Sequence, residues 1–286
     1  MKRKLIILFS TVLIAVIIIV AVIFSIIALN SKVQPKAVIV DNLALMSLGT
    51  YNNQDFVKNA TKILNDIGLE VDYFPLDKVT VNLYRSLGSY LVVILRVHSG
   101  ILEGSADVYL FTSESIQKVR KYLQYGDKYL GNACIPTTQK CYIAVSPNFI
   151  RDFSENFRNS VIIAMGCDSL KTSSLAKVFV EKGASVYIGW KHKVTPKGTD
   201  NATLELLKRL FIENMTVSKA VKGLEDSVTF AELDFYPRKA ENLRPLSMIK
   251  KLVSVESSAS VNIYCLISNK DVFDVNLTYR RIFRTF

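Results

Sequence analysis

Histidine is almost missing from this chain of 286 residues: it occurs twice, at His98 and His192. Cysteine occurs four times. The one close cysteine pair, Cys134 and Cys141, has no second Cys or His pair near it, which argues against a structural zinc site. No segment repeats, so solenoid and propeller architectures are excluded. No group of Lys and Arg interleaves with aromatics, so the formal charge of +11 does not describe a groove for single-stranded nucleic acid. The basic residues are scattered, and the surface they make suits anionic lipid heads better. Beyond residue 29, no stretch is long and apolar enough to span a bilayer.

What is present begins with one such stretch. Lys2, Arg3 and Lys4 in the basic flank 1–4 precede an uncharged apolar run over residues 5–29. At about 1.5 Å per residue it covers the roughly 30 Å hydrocarbon core of a membrane. The expectation is one transmembrane helix, with the flank cytoplasmic by the positive-inside rule and the rest extracytoplasmic. A cleaved signal peptide is the alternative. Against it stand the length of the run and a poor cleavage site at Ala28-Leu29-Asn30. After a linker at 30–36, residues 37–286 suit one large domain. In an oxidising compartment Cys134 and Cys141, which bracket a short Pro-containing loop, read as a local disulfide. Sequons at Asn59, Asn201, Asn214 and Asn276 agree with export as possible N-glycosylation sites, although the pattern is common by chance. Cys265, in VNIYCLI, reads as an inert core residue.

Along the domain, apolar runs alternate with helical periodicity. Residues 36–41, 71–74, 91–95, 160–165 and 184–189 read as strands, and LVVIL is unbroken enough to be buried on both faces. Residues 55–67, 174–182, 201–213 and 217–224 read as helices, with Gly68 and Gly183 as C-terminal caps. An irregular insert occupies about 101–150, with short strands at 108–111 and 142–145 around a helix at 115–125. A C-terminal β-hairpin is expected at about 260–280. Residues 230–249 fit no pattern. The fold class is α/β, a mostly parallel sheet with helices on both faces.

Sites in such sheets gather beyond the carboxyl ends of the strands. LVVIL runs into Arg96-Val97-His98-Ser99-Gly100, and SVIIAM runs into Gly166-Cys167-Asp168-Ser169. If the two strands are neighbours, His98 and Cys167 share a crevice. An imidazole can take the proton of a thiol, and the thiolate can attack a carbonyl carbon. Gly166 and Gly100 let a backbone come close, and N–H groups there could hold an oxyanion. Spacing alone does not define a dyad, because a strand-end Cys is usually a small buried hydrophobe.

The order strand-His98-x-Gly, then strand-Gly166-Cys167-x-Ser169, resembles the caspase-like cysteine peptidases: gingipains, clostripain, legumain, caspases, separase and the CHAT domains. The stretch SSLAKVFVEKGASVYIGW and the two helices after it extend the resemblance. It runs from Lys36 to Leu224 and is strongest from Ser160 onward. It implies a caspase-like fold, with His98 as general base and acid and Cys167 as nucleophile. No metal or organic cofactor is implied, and water resolves the thioester. The family usually places Gly directly after the histidine, where it helps build the oxyanion site. Here Ser99 intervenes, so either the loop is shifted or Ser99 supplies the N–H. Trp190 would wall the substrate crevice, or be an ordinary core residue. Asp168 would read a basic substrate side chain or cap the next helix. His192 is a weaker candidate base and reads better as an exposed loop residue. The expected function is a membrane-anchored cysteine endopeptidase acting on peptides or proteins at the membrane surface, with no nucleic-acid partner. The rival is an inactive caspase-like surface binding or envelope protein.

Overall fold

Strand β1 (Lys36–Asp41), KAVIVD, is buried over all but its first residue, as a central strand covered on two faces must be. It belongs to a computed structural model that describes residues 35–45, 53–135 and 139–254. The expected span at 5–29, the hairpin at 260–280, Cys265 and Asn276 lie outside the described residues. Among the described residues no helix is long and apolar enough to cross a membrane.

Helix α1 (Gln54–Asp66) starts at an Asn53 cap, whose side chain accepts the Phe56 N–H, and ends before Gly68 at φ +89°. It leads into β2 (Glu70–Pro75), which pairs in parallel with β1. Strand β3 (Val92–Arg96) pairs in parallel on the other side of β1. The chain then leaves the main sheet and forms a second one. Strands β4 (Ser99–Ile101), β5 (Val108–Ser115), β6 (Leu130–Ile135) and β7 (Lys140–Val145) make an antiparallel sheet in the order β4-β5-β7-β6. The expected helix at 115–125 is a kinked 3-10 segment, Ile116–Tyr125. The insert is thus an ordered second sheet, where the sequence suggested irregularity. Cys134 and Cys141 sit directly opposite each other on β6 and β7 and are joined by a disulfide.

Helix α2 (Pro147–Phe153), capped by Ser146, returns the chain to the main sheet. There β8 (Val161–Ala164) pairs in parallel with β3. Helix α3 (Ser174–Glu181) follows, then β9 (Val186–Trp190), parallel to β8. Helix α4 (Pro196–Phe211) begins earlier than its apolar spacing suggested, because Thr195 caps it and Pro196 takes the first turn. A short helix α5 (Val217–Val221) precedes β10 (Leu233–Tyr236), antiparallel to β9 at the sheet edge. Residues 245–254 are helical.

The main sheet therefore runs β2-β1-β3-β8-β9-β10, parallel except for its last strand. Alternation along the strands divides its two faces. Val38, Val40, Val93, Leu95, Ile162 and Ala164 join Leu175, Val178 and Phe179 of α3 and Phe149 of α2 in one core. On the opposite face Arg96 meets Phe56 of α1 and Asp200 of α4. Helices thus cover both faces, as the alternating pattern requires.

Candidate active site

β3 and β8 are neighbours, and the residues just past their carboxyl ends converge. His98 and Cys167 line one small cavity of about 20 Å³, together with Leu43, Met165, Gly166, Val194, Pro196 and Thr199.

Three consecutive residues at the end of β1 and just past it hold His98. The Asn42 side chain accepts the His98 N–H at 3.0 Å and donates to the Phe111 carbonyl at 2.8 Å. The Leu43 carbonyl lies 3.0 Å from His98 Nε2. A carbonyl only accepts, so Nε2 carries the proton and Nδ1 keeps the lone pair. Asp41 in turn accepts the Leu43 N–H at 3.1 Å, which fixes the turn that presents the carbonyl.

Behind this turn lies a buried ion network. The Arg96 guanidinium, 1% exposed, donates to both carboxylate oxygens of Asp41 at 2.7 and 2.8 Å. It also makes a two-bond contact with Asp200 at 2.8 and 2.9 Å. Asn53 adds a third bond to Asp200 at 2.8 Å. The group ties the ends of β1 and β3 to the first half of α4. Desolvating three charges is costly, so removing one partner leaves an uncompensated buried charge at a cost of about 3–5 kcal/mol.

Burial lowers the His98 pKa to about 4. The Leu43 carbonyl opposes that shift, and the Arg96 charge adds to it. Burial pushes the Cys167 thiol upward, and the Asp168 charge adds to this, while the Val194 backbone and Lys193 oppose it. The resting pair is therefore a neutral imidazole and a thiol. No hydrogen bond joins them. Cys167 Sγ instead accepts the Val194 N–H at 3.4 Å and donates to the Val194 carbonyl at 3.6 Å.

The two strand ends touch at Gly166. A Cβ there would overlap Ser99 Oγ and the Val97 carbonyl, so only glycine fits. Ser99 Oγ donates to the Cys167 carbonyl at 2.7 Å, locking the loops together. The choice between Ser99 and Gly100 as N–H donor follows from pairing. The Phe111 N–H bonds the His98 carbonyl, so bonded pairs fall at His98 and Gly100, with Gly100 opposite Tyr109. The Gly100 N–H is thereby committed to β5. The Ser99 nitrogen lies beside Gly166, 2.9 Å from where a Cβ there would sit.

The readings of Trp190 as a crevice wall and of Asp168 as a helix cap need correction. Trp190 does not wall the cavity: it is fully buried, and its indole N–H donates to Thr199 Oγ1 at 2.9 Å. Thr199, which donates to the Met165 carbonyl, lines the cavity in its place. Asp168 does not cap α3, which starts at Ser174. It adopts φ +55°, and its carboxylate lies 3.7 Å from Lys171 Nζ. His192 is exposed in a loop and meets the site only through its carbonyl, which accepts the Asp168 N–H. Asn59 and Asn201 are exposed on α1 and α4, whereas the Asn214 amide oxygen accepts a bond from Ser247. Among the described residues no group of His, Cys, Asp and Glu could hold a metal ion.

Four contributors escaped the sequence reading: Asn42, Leu43, Val194 and Thr199. Leu43 and Val194 act through backbone atoms, for which side-chain identity carries no signal. Neither the known family models nor the curated protein sequences match this chain.

Proposed function

We propose that this domain is a cysteine endopeptidase, tethered outside a membrane by residues 5–29, in which Cys167 is the nucleophile and His98 the base. One observation carries the reading: two neighbouring parallel strands deliver the thiol and the imidazole to the same cavity. The Leu43 carbonyl adds to it by occupying Nε2 and leaving Nδ1 to accept a proton.

In this mechanism a peptide carbonyl enters the cleft. Nδ1 takes the Cys167 proton as sulfur bonds to the carbonyl carbon, and the imidazolium charge is borne partly by Leu43. This reading gives the negative oxygen to the Ser99 N–H, beside Gly166, and to the Cys167 N–H. The imidazolium then protonates the leaving amine as the C–N bond breaks, and water hydrolyses the thioester. A closed, neutral pair suits this sequence, because charge separation forms only once substrate supplies its counterparts.

A non-catalytic binding module keeps support from one fact, the engagement of the sulfur with Val194 rather than His98. Cleavage of a mixed peptide pool by the purified protein separates the two. Cys167→Ala and His98→Ala are each expected to abolish cleavage, by at least about three orders of magnitude, while circular dichroism stays unchanged. Cleavage that survives Cys167→Ala would end the peptidase reading at this site.

A further inference from the structure

We infer that residues 192–195 are a strap that keeps the Cys167 sulfur closed, and that Asp226 is the staple holding the strap down. The inference concerns regulation of the site proposed above and rests on that reading.

The strap carries no regular secondary structure and passes directly over the nucleophile. At its start the His192 carbonyl accepts the Asp168 N–H at 3.1 Å. At its middle both polar groups of the Val194 backbone are spent on Cys167 Sγ. At its end Thr195 donates its N–H and its hydroxyl to the Asp226 carboxylate, at 2.5 and 2.8 Å. The same carboxylate accepts the Val228 N–H at 2.8 Å and the Thr229 N–H at 3.4 Å. Asp226 thus joins the strap to the turn before β10, and it lies so close to Gly198 that a Cβ there would collide with it.

The space left beneath the strap decides what this arrangement permits. About 20 Å³ holds a single water and no acyl group. Val194 and Pro196 are among the residues that line that space. Cys167 is part-buried, and with both Val194 backbone groups bonded to its sulfur, release of Val194 is what frees the sulfur for the imidazole and for a substrate carbonyl. Few bonds secure the strap: at its far end Thr195 gives two to Asp226 and accepts two from the first turn of α4, the Gly198 N–H at 3.0 Å and the Thr199 N–H at 3.0 Å. Segments held in this way open locally without global unfolding.

The test is the rate at which iodoacetamide alkylates Cys167, read by peptide mass mapping so that Cys265 does not interfere. Asp226→Ala removes the staple. Gly198→Ala leaves the carboxylate in the chain but forces it away from Thr195. Each is expected to raise the alkylation rate at least about tenfold, with the melting temperature changed by only a few degrees. Unchanged or slower alkylation in both folded variants would overturn the strap. Should neither variant fold, amide exchange in the wild-type protein decides. Val194 and Thr195 exchanging well ahead of the β3 amides supports the strap, and equal protection refutes it. These readouts do not depend on peptide cleavage. Faster alkylation with no cleavage would leave the strap standing and remove the peptidase, whereas cleavage lost in Cys167→Ala with alkylation unmoved would do the reverse.

Discussion

His98 is only 5% exposed, and its surroundings work against a charge on the ring. Burial holds the folded imidazole neutral until about pH 4, while the unfolded chain takes up the same proton near 6.5. Between those values the unfolded state binds more protons, so stability falls as the pH drops through that window and is complete above it. The effect is worth about 3 kcal/mol. Denaturant midpoints measured from pH 7 to pH 4 are expected to fall steeply in the wild-type protein. In His98→Gln the fall is shallower over the same range. A variant as steep as the wild type would place the titrating group elsewhere. At this scale the sequence was partly readable. His98 and Cys167 stood out because each follows an apolar strand, His98 two residues before a glycine and Cys167 directly after one. Arg96 lies in the same string as His98, yet its role depends on Asp41 and on Asp200, which is 104 positions away. No local pattern reveals such a partner. Trp190 misled for a related reason: a strand-end position says nothing about which way the ring turns, and here it turns into the core toward Thr199.

Strands β3 and β8 can place their loops in contact only because Gly166 has no side chain. Gly166→Ala puts a methyl group into Ser99 Oγ and the Val97 carbonyl, and neither is the free end of a flexible chain. The expected cost is about 1–3 kcal/mol, the range for overpacking. The Ser99–Cys167 bond should be lost with it, and any catalysis should fall by more than the stability loss explains. Thermal melts beside activity measurements check this, and an alanine variant as active and stable as the wild type would contradict the close approach. Element by element, the main sheet was legible wherever a strand was buried on both faces. Residues 92–96 and 161–164 are apolar without a break up to Arg96, and their environment is apolar throughout. The second sheet was harder to see. Leu130–Ile135 reads LGNACI, with small and polar residues where alternation should show, because pairing with β7 and the disulfide hold it in place. Strand β10 is four residues long and contains Asp234, which pairs with Lys191 and Arg238. Too few apolar positions remain there for any period to emerge.

Across the molecule, His98 comes from the first half of the main sheet and Cys167 from the second. Between them in sequence stands the hairpin of β6 and β7, closed by Cys134 and Cys141. Residues 135–140 contain a single basic residue, Lys140, so trypsin has one place to cut within the closed loop. A cut there divides the protein into pieces of 140 and 146 residues, the first carrying His98 and the second Cys167. The hairpin bond keeps the two covalently linked, and the ladder between β3 and β8 keeps them aligned. Such nicked protein is expected to travel at the full-length position on a denaturing gel without reductant and at about half that size with it. The fold thus has a seam along which it can be opened without losing a residue, and each half alone holds only one of the two residues that meet in the cavity.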